Sequence, residues 1–217
     1  MKGEARKLKI MVSSTVYGIE ELLERVYTLL TNFEYEVWMS HKGTVPVFSS
    51  QTAFDNCLQA VEKCDLFLGI ISTSYGSGRD PGDPSSRSIT HHEILKAIAL
   101  DKPRWLLAHE NVVFARTLLN KLGFIGRSGR EKLKLEKNQV FTDLRILDLY
   151  EDATIDHEAP HAMPLAERRG NWVQKFRSVD DGSLFVGSQF FRYQEVEEFI
   201  RENFESGQPL PKNGGNK

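Results

Sequence analysis

Cysteine is scarce: the 217 residues hold two, Cys57 and Cys64. They stand two helical turns apart, on roughly one face, and match no metal or redox spacing. Two reduced, mostly buried thiols are expected. Long apolar runs are missing too. The longest near the middle, Leu66-Phe-Leu-Gly-Ile-Ile71, is far too short to span a bilayer. The opening MKGEARKLKIMVSST is basic but has no apolar core of signal-peptide length, so a cytoplasmic protein without membrane contact is expected. Excess charge of one sign is also absent. The formal net charge is -2, so nothing at whole-chain level calls for nucleic acid or a membrane surface. There is no Walker lysine pattern, no GxGxxG and no Ser/His/Asp or Cys/His signature.

What remains is ordinary globular composition, 40% hydrophobic and 27% charged, on a chain long enough for a sizeable core. Leu8–Val12 reads as a short strand ending in Ser13-Ser14-Thr15, which are N-cap residue types. Ile19, Leu22, Leu23, Val26, Leu29 and Leu30 then recur at helical spacing, and Tyr35–Met39 reads as a second strand. Ser50 or Thr52 can cap a second helix that buries Phe54, Leu58, Val61 and Cys64. Asp65–Ile71 is nearly all apolar, as a strand buried on both faces of a parallel sheet would be. Residues 72–87 form a long Gly/Pro/Ser/Asp loop of the kind that is more often functional than connecting. The stretch SITHHEILKAIALDKP, 88–103, gives a third helix, and Pro103–Ala108 a fourth strand.

Beyond it, Val112–Leu122 reads as a helix and Arg145–Tyr150 as a candidate fifth strand. Asp156–Pro164 reads as a loop, and helices are expected over Asn171–Ser178 and Phe190–Phe204. The alternation predicts an α/β domain with a parallel sheet and right-handed crossovers, residues 1–110 forming its core. Residues 111–205 are its mostly helical C-terminal part, and 206–217 a disordered tail. Ligands in such sheets sit beyond the carboxyl ends of the strands. Ser13–Thr15, the 72–87 loop and the start of the third helix meet there.

Glu93 stands in the first turn of that helix. Thr90-His-His-Glu93 also matches a capping box, which by itself explains both residues without chemistry. Ser13, Ser14 and Thr15 offer hydroxyls and backbone N–H groups for a phosphate, or ordinary N-capping. Tyr75-Gly76-Ser77-Gly78 lets backbone approach a ligand, with Tyr75 free to stack on a ring, or forms a plain turn. His91 and His92 are adjacent and point apart, so they do not chelate one metal. His157-Glu-Ala-Pro-His161 has metal-like spacing, but Pro160 opposes the helix it needs; no metal is expected. The basic run Arg127–Lys137 reads as a solvated helix face, without the aromatics of a single-strand binder.

In combination, V-S-S-T at 12–15, C-D-L-F-L-G-I-I at 64–71, Y-G at 75–76 and S-x-T-x-x-E-I…A…K-P over 88–103 resemble a bacterial family. That family is a TIR-like domain of unknown function, similar in fold to TIR domains and nucleoside 2-deoxyribosyltransferases. The chain departs from it at Gly18, where an acidic residue is expected. The resemblance implies a three-layer flavodoxin-like or TIR-like fold with a mainly parallel sheet and extra C-terminal helices. It implies a nucleotide-binding domain, with N-glycosidase activity on NAD or a nucleoside, in bacterial defence or signalling. Glu93 is then the catalytic carboxylate. Ser13, Ser14, Thr15, Tyr75, Gly76, Ser88 and His92 bind substrate. NAD or a related nucleotide is the substrate, no cofactor is needed, and a homo-oligomer is plausible. For an adenine or pyrimidine leaving group a second acid is wanted, from Asp80, Asp83 or His92. The alternative is a non-catalytic nucleotide sensor or protein-interaction module, since fold alone proves no function.

Overall fold

The structure is a computed structural model that describes residues 6–76, 78, 87–135, 140–141, 143–154, 171–192 and 195. The loop expected over 156–164, most of the helix expected over 190–204 and the tail 206–217 lie outside them. So do Ser77, Asp80, Asp83, His157 and His161.

Five strands form one sheet: β1 Lys9–Ser14, β2 Glu36–Trp38, β3 Leu66–Ile71, β4 Arg104–His109 and β5 Val173–Phe176. Their order is β2-β1-β3-β4-β5, and every neighbouring pair is parallel. That is the flavodoxin-like order, whose switch point lies between β1 and β3. Helices cover both faces, as the sequence predicts. On one side α1 (Glu20–Asn32) and α7 (Val179–Phe190) lay Leu22, Leu23, Val26, Val186 and Phe190 on Ile10, Val12, Leu68 and Ile70. On the other side lie α2 (Ala53–Lys63), α3 (Ile89–Ala99), α4 (Glu110–Lys121) and α6 (Arg145–Thr154), packed on Met11, Phe67, Ile71 and Leu106. A short α5 (Gly126–Arg130) precedes α6.

The central strand is the best match to expectation. All six residues of β3 are buried, because it has parallel neighbours on both edges and helices on both faces. Its Gly69 is there for space. A Cβ at 69 would stand 2.7 Å from Leu106 Cδ2 and 3.3 Å from Ile94 Cγ1. Glycine thus lets α3 lie close on the sheet, and α3 carries Glu93. Thr52, of the two caps considered, accepts the Asp55 amide at 3.0 Å and starts α2. The buried face of α2 is Asn56, Ala60 and Val61; Phe54 and Leu58 are half-buried.

Three expectations are corrected. Ser13, Ser14 and Thr15 do not cap the first helix. β1 runs on through Ser14, pairing Ser13 with Gly69 and Ser14 with Ile70. A turn through Gly18, at φ 84°, intervenes, and α1 starts after Ile19 with no side-chain cap. Secondly, Arg145–Tyr150 is helix rather than strand. Its six residues, with Asp148 among four apolar ones, are too few to tell the two periods apart, and Ile146, Leu149 and Ala153 make one buried helical face. Thirdly, the helix expected over Asn171–Ser178 is the edge strand β5. Trp172, Val173 and Phe176 imitate helical spacing, yet Trp172 is 78% exposed and only Phe176 is buried. The helix there, α7, begins later, at a capping box of Ser178 and Asp181.

Candidate functional site

The site is built where β1 and β3 end. Successive strand residues point to opposite faces, so Ser13 shares the α3 face with Met11, and Ser14 projects the other way. Ser13 is 1% exposed, and its hydroxyl donates to Glu93 Oε2 at 2.5 Å. Glu93 is 4% exposed. The Cys57 thiol of α2 lies beside it, and no cation among the described residues pairs with it. Burial therefore dominates, and pushes the Glu93 carboxyl up to about 7; the Ser13 hydrogen bond and the neighbouring Cys57 thiol pull the other way.

The capping-box reading of Glu93 is overturned. Ser88 is the N-cap of α3, and its side chain accepts the His91 amide at 3.3 Å. Glu93 thus lies beyond the N3 position that a capping box uses, and it reaches across to β1 instead. The same geometry corrects the helix α3 start: Thr90 lies inside the first turn.

The other hydroxyls gather nearby. Thr15 Oγ1 lies 2.6 Å from Ser72 Oγ and donates to the Ser74 carbonyl at 2.9 Å. Gly76 crosses above Thr15 at φ 90°. A Cβ at 76 would meet Thr15 Cγ2 at 3.0 Å and Ser88 Cβ at 3.6 Å. Glycine is needed here both for the conformation and for the approach. Thr15, Gly76 and Ser88 thus meet at one rim, and Ser13 with Glu93 lies on the same strand edge. The Ser14 hydroxyl donates locally, to the Thr15 carbonyl at 2.8 Å. His92 packs edge-on against Phe54 of α2, ring centres 5.1 Å apart.

A family model described as a domain of unknown function, DUF4062, matches residues 9–159. The chain belongs to that family. A search of the curated proteins finds no match. Among solved structures, "Structure of Clostridium botulinum CMP N-glycosidase, BcmB" is similar over 83% of this chain and 98% of that one, at 13% identity and a TM-score of 0.41. A likeness that distant decides nothing about activity.

In this DUF4062 domain the remaining predicted residue, Tyr75, is not a free stacking platform. It is 1% exposed, with the Arg145 guanidinium 5.0 Å from its ring centre and the His91 ring edge-on at 5.9 Å. Its hydroxyl is engaged by His91 and by the Ser88 amide. Three participants escaped sequence reasoning. Cys57 stands one turn after Phe54 on α2, Ser72 follows β3 directly, and Asp152 reaches His91 from α6. Only Ser72 carried a signal, as a hydroxyl directly after a strand at the ligand edge. Both thiols are free, as expected; burial pushes Cys57 up to about 12 and Cys64 up to about 11. Cys57 is only half-buried. Among the described residues no His, Cys, Asp and Glu side chains cluster as metal ligands, and no helix is long and apolar enough to cross a membrane.

Ser13 gives the first prediction. A hydrogen bond to a charged group is worth roughly 1.5–3 kcal/mol, or about 1–2 pH units. Ser13→Ala should raise the Glu93 midpoint by that amount, as followed by carboxyl carbon NMR. An unmoved midpoint would mean that the Ser13 contact does not hold the anion.

Proposed function

We propose that this domain binds a nucleotide or nucleoside at the β1/β3 switch point and cleaves its N-glycosidic bond, with Glu93 as the catalytic carboxylate. One observation carries the reading. A carboxylate 4% exposed, unpaired with any cation among the described residues, sits at the edge where parallel sheets take ligands. Such a group costs stability. Carboxylates perturbed in this way concentrate where chemistry is done.

The chemistry follows from the charge. As the bond from C1′ to the base nitrogen breaks, its electron pair leaves with the base. Positive charge spreads over C1′ and the ring oxygen. Ionised Glu93 stabilises that centre or bonds to C1′; water then adds at C1′, releasing the carboxylate where it had bonded, and the water's proton passes to solvent. A pyridinium base such as nicotinamide leaves as a neutral molecule and needs no acid. An adenine or pyrimidine base requires a proton as it departs. Thr15, Ser88 and the Gly76 backbone supply the rim for ribose hydroxyls or phosphate.

A specific observation favours a second reading, a nucleotide sensor. Glu93 is enclosed and already held by Ser13. One experiment separates the two. Concentrated protein is incubated with NAD, NADP, ATP, nucleoside monophosphates and deoxynucleosides, and products are resolved by mass. Release of a free base supports the glycosidase. No product, together with a nucleotide that raises the melting temperature, supports the sensor.

A further inference from the structure

Behind Glu93 lies a chain of hydrogen bonds that the proposed reaction does not use. His91 is fully buried, two residues before Glu93 in the first turn of α3. Its Nε2 lies 2.9 Å from Asp152 Oδ2, and its Nδ1 lies 2.8 Å from the Tyr75 hydroxyl. Burial lowers the imidazole, against the pull of Asp152, and burial raises the Tyr75 phenol. A carboxylate only accepts, so Nε2 carries the proton and Nδ1 accepts from Tyr75. The Tyr75 oxygen accepts the Ser88 amide at 3.3 Å, and Ser88 Oγ accepts the His91 amide at 3.3 Å. Ser88, Tyr75 and His91 therefore close a ring. It ties the segment leaving β3 to the first turn of α3, and Asp152 anchors it to α6. The bond from Ser13 to Glu93 spans two elements, so it holds only while that turn keeps its place against β1.

We infer that Asp152, His91 and Tyr75 are positioning residues for Glu93: they fix the first turn of α3 so that its carboxylate stays on the Ser13 hydroxyl. The inference rests on Glu93 being the working carboxylate, but the coupling itself is measurable without turnover. Asp152→Asn keeps the shape while offering N–H as readily as C=O to Nε2, which unsettles the tautomer. Tyr75→Phe removes only the hydroxyl.

The test follows the Glu93 midpoint by carboxyl carbon NMR in wild type, Asp152→Asn, Tyr75→Phe, Ser13→Ala and the doubles with Ser13→Ala. Each relay variant should raise the midpoint in the direction of Ser13→Ala, by about one pH unit, a tenfold change in the ionised fraction. Each double should match Ser13→Ala alone, because without the hydroxyl there is no contact left to hold. In the base-release assay kcat should fall with KM near wild type. Folded relay variants with a wild-type midpoint, or doubles whose shifts add, would overturn the inference. If Asp152→Asn does not fold, Tyr75→Phe carries the test. A wild type that releases no base would remove the glycosidase and leave the midpoint comparison standing.

Discussion

Glu93→Gln is expected to cut base release by roughly 10²- to 10³-fold and, in the same protein, to strengthen the fold above pH 7. The rate effect comes from charge. The amide keeps the size of the side chain and still accepts from Ser13, but it offers no negative charge to the developing cation. The stability effect comes from burial. An ordinary glutamate ionises near 4.5, whereas Glu93 in the folded chain is raised to about 7. Between those values the folded state holds a proton that the unfolded chain has lost. Wild-type stability is therefore complete below pH 4.5, falls as the pH rises towards 7, and is flat above. At about 1.4 kcal/mol per pH unit, the whole loss is about 3 kcal/mol. Glutamine does not titrate, so its advantage opens over the same window and then holds. Urea midpoints of both proteins at pH 4.5 and pH 8 measure it. Equal stability at pH 8 would remove the buried-charge account, and unchanged base release would remove Glu93 from the reaction. A residue whose loss ends activity and strengthens the fold is retained for chemistry, since nothing in the fold rewards it.

The sequence showed the sheet better than the site. β1, β3 and β4 were legible because they are short, apolar and bounded by polar turns, and α1 because its apolar face repeats over three turns. Where the pattern is brief it misleads. Arg145–Tyr150 shows no clear helical face because buried Asp148 interrupts its apolar residues, and Asp148 is buried where Arg130 and Arg127 meet it. That partner lies on another element, which local periodicity cannot show. The edge strand β5 fails in the opposite sense. It has one half-covered face and few residues to establish a period of two. At the site, Glu93 was visible as a carboxylate near the start of a helix at the ligand edge. What makes it unusual was not, because its partner Ser13 is 80 residues away, and the Asp152 that steadies His91 is 61 residues beyond that histidine. Local spacing favoured the capping box, and tertiary contact overrode it. The expectation that Arg127–Lys137 is a solvated face fails for the same reason at Arg130, which is 3% exposed.

That arginine carries the largest stability prediction. Asp148→Ala is expected to cost roughly 3–5 kcal/mol, much of the stability of an ordinary domain. Arg130 Nε donates to Asp148 Oδ1 at 3.1 Å, and Nη2 donates to Asp148 and, at 2.6 Å, to Glu151. Arg127 also lies 3.4 Å from Asp148, and Arg116 donates to Glu151 at 3.0 Å. Asp148 is 7% exposed, so little water replaces it when it is removed. Among the described residues Arg130 Nη1 is already buried without a hydrogen-bond partner, so the truncated site has no spare acceptor to offer. The cost is that of a buried guanidinium left with Glu151 alone rather than the worth of an ion pair. It follows that Arg130→Met combined with Asp148→Leu should recover most of the loss, because an apolar pair of similar volume removes the buried guanidinium while Arg116 still meets Glu151. Urea unfolding of the single and double variants reads both numbers. A double as unstable as Asp148→Ala would show that the pair itself, and not the stranded charge, holds α5 on α6. The link to function is one helical turn away. Asp148 and Asp152 share a face of α6, so Asp148→Ala should also loosen His91, whereas the apolar double keeps α6 seated and leaves the Glu93 midpoint where the wild type has it.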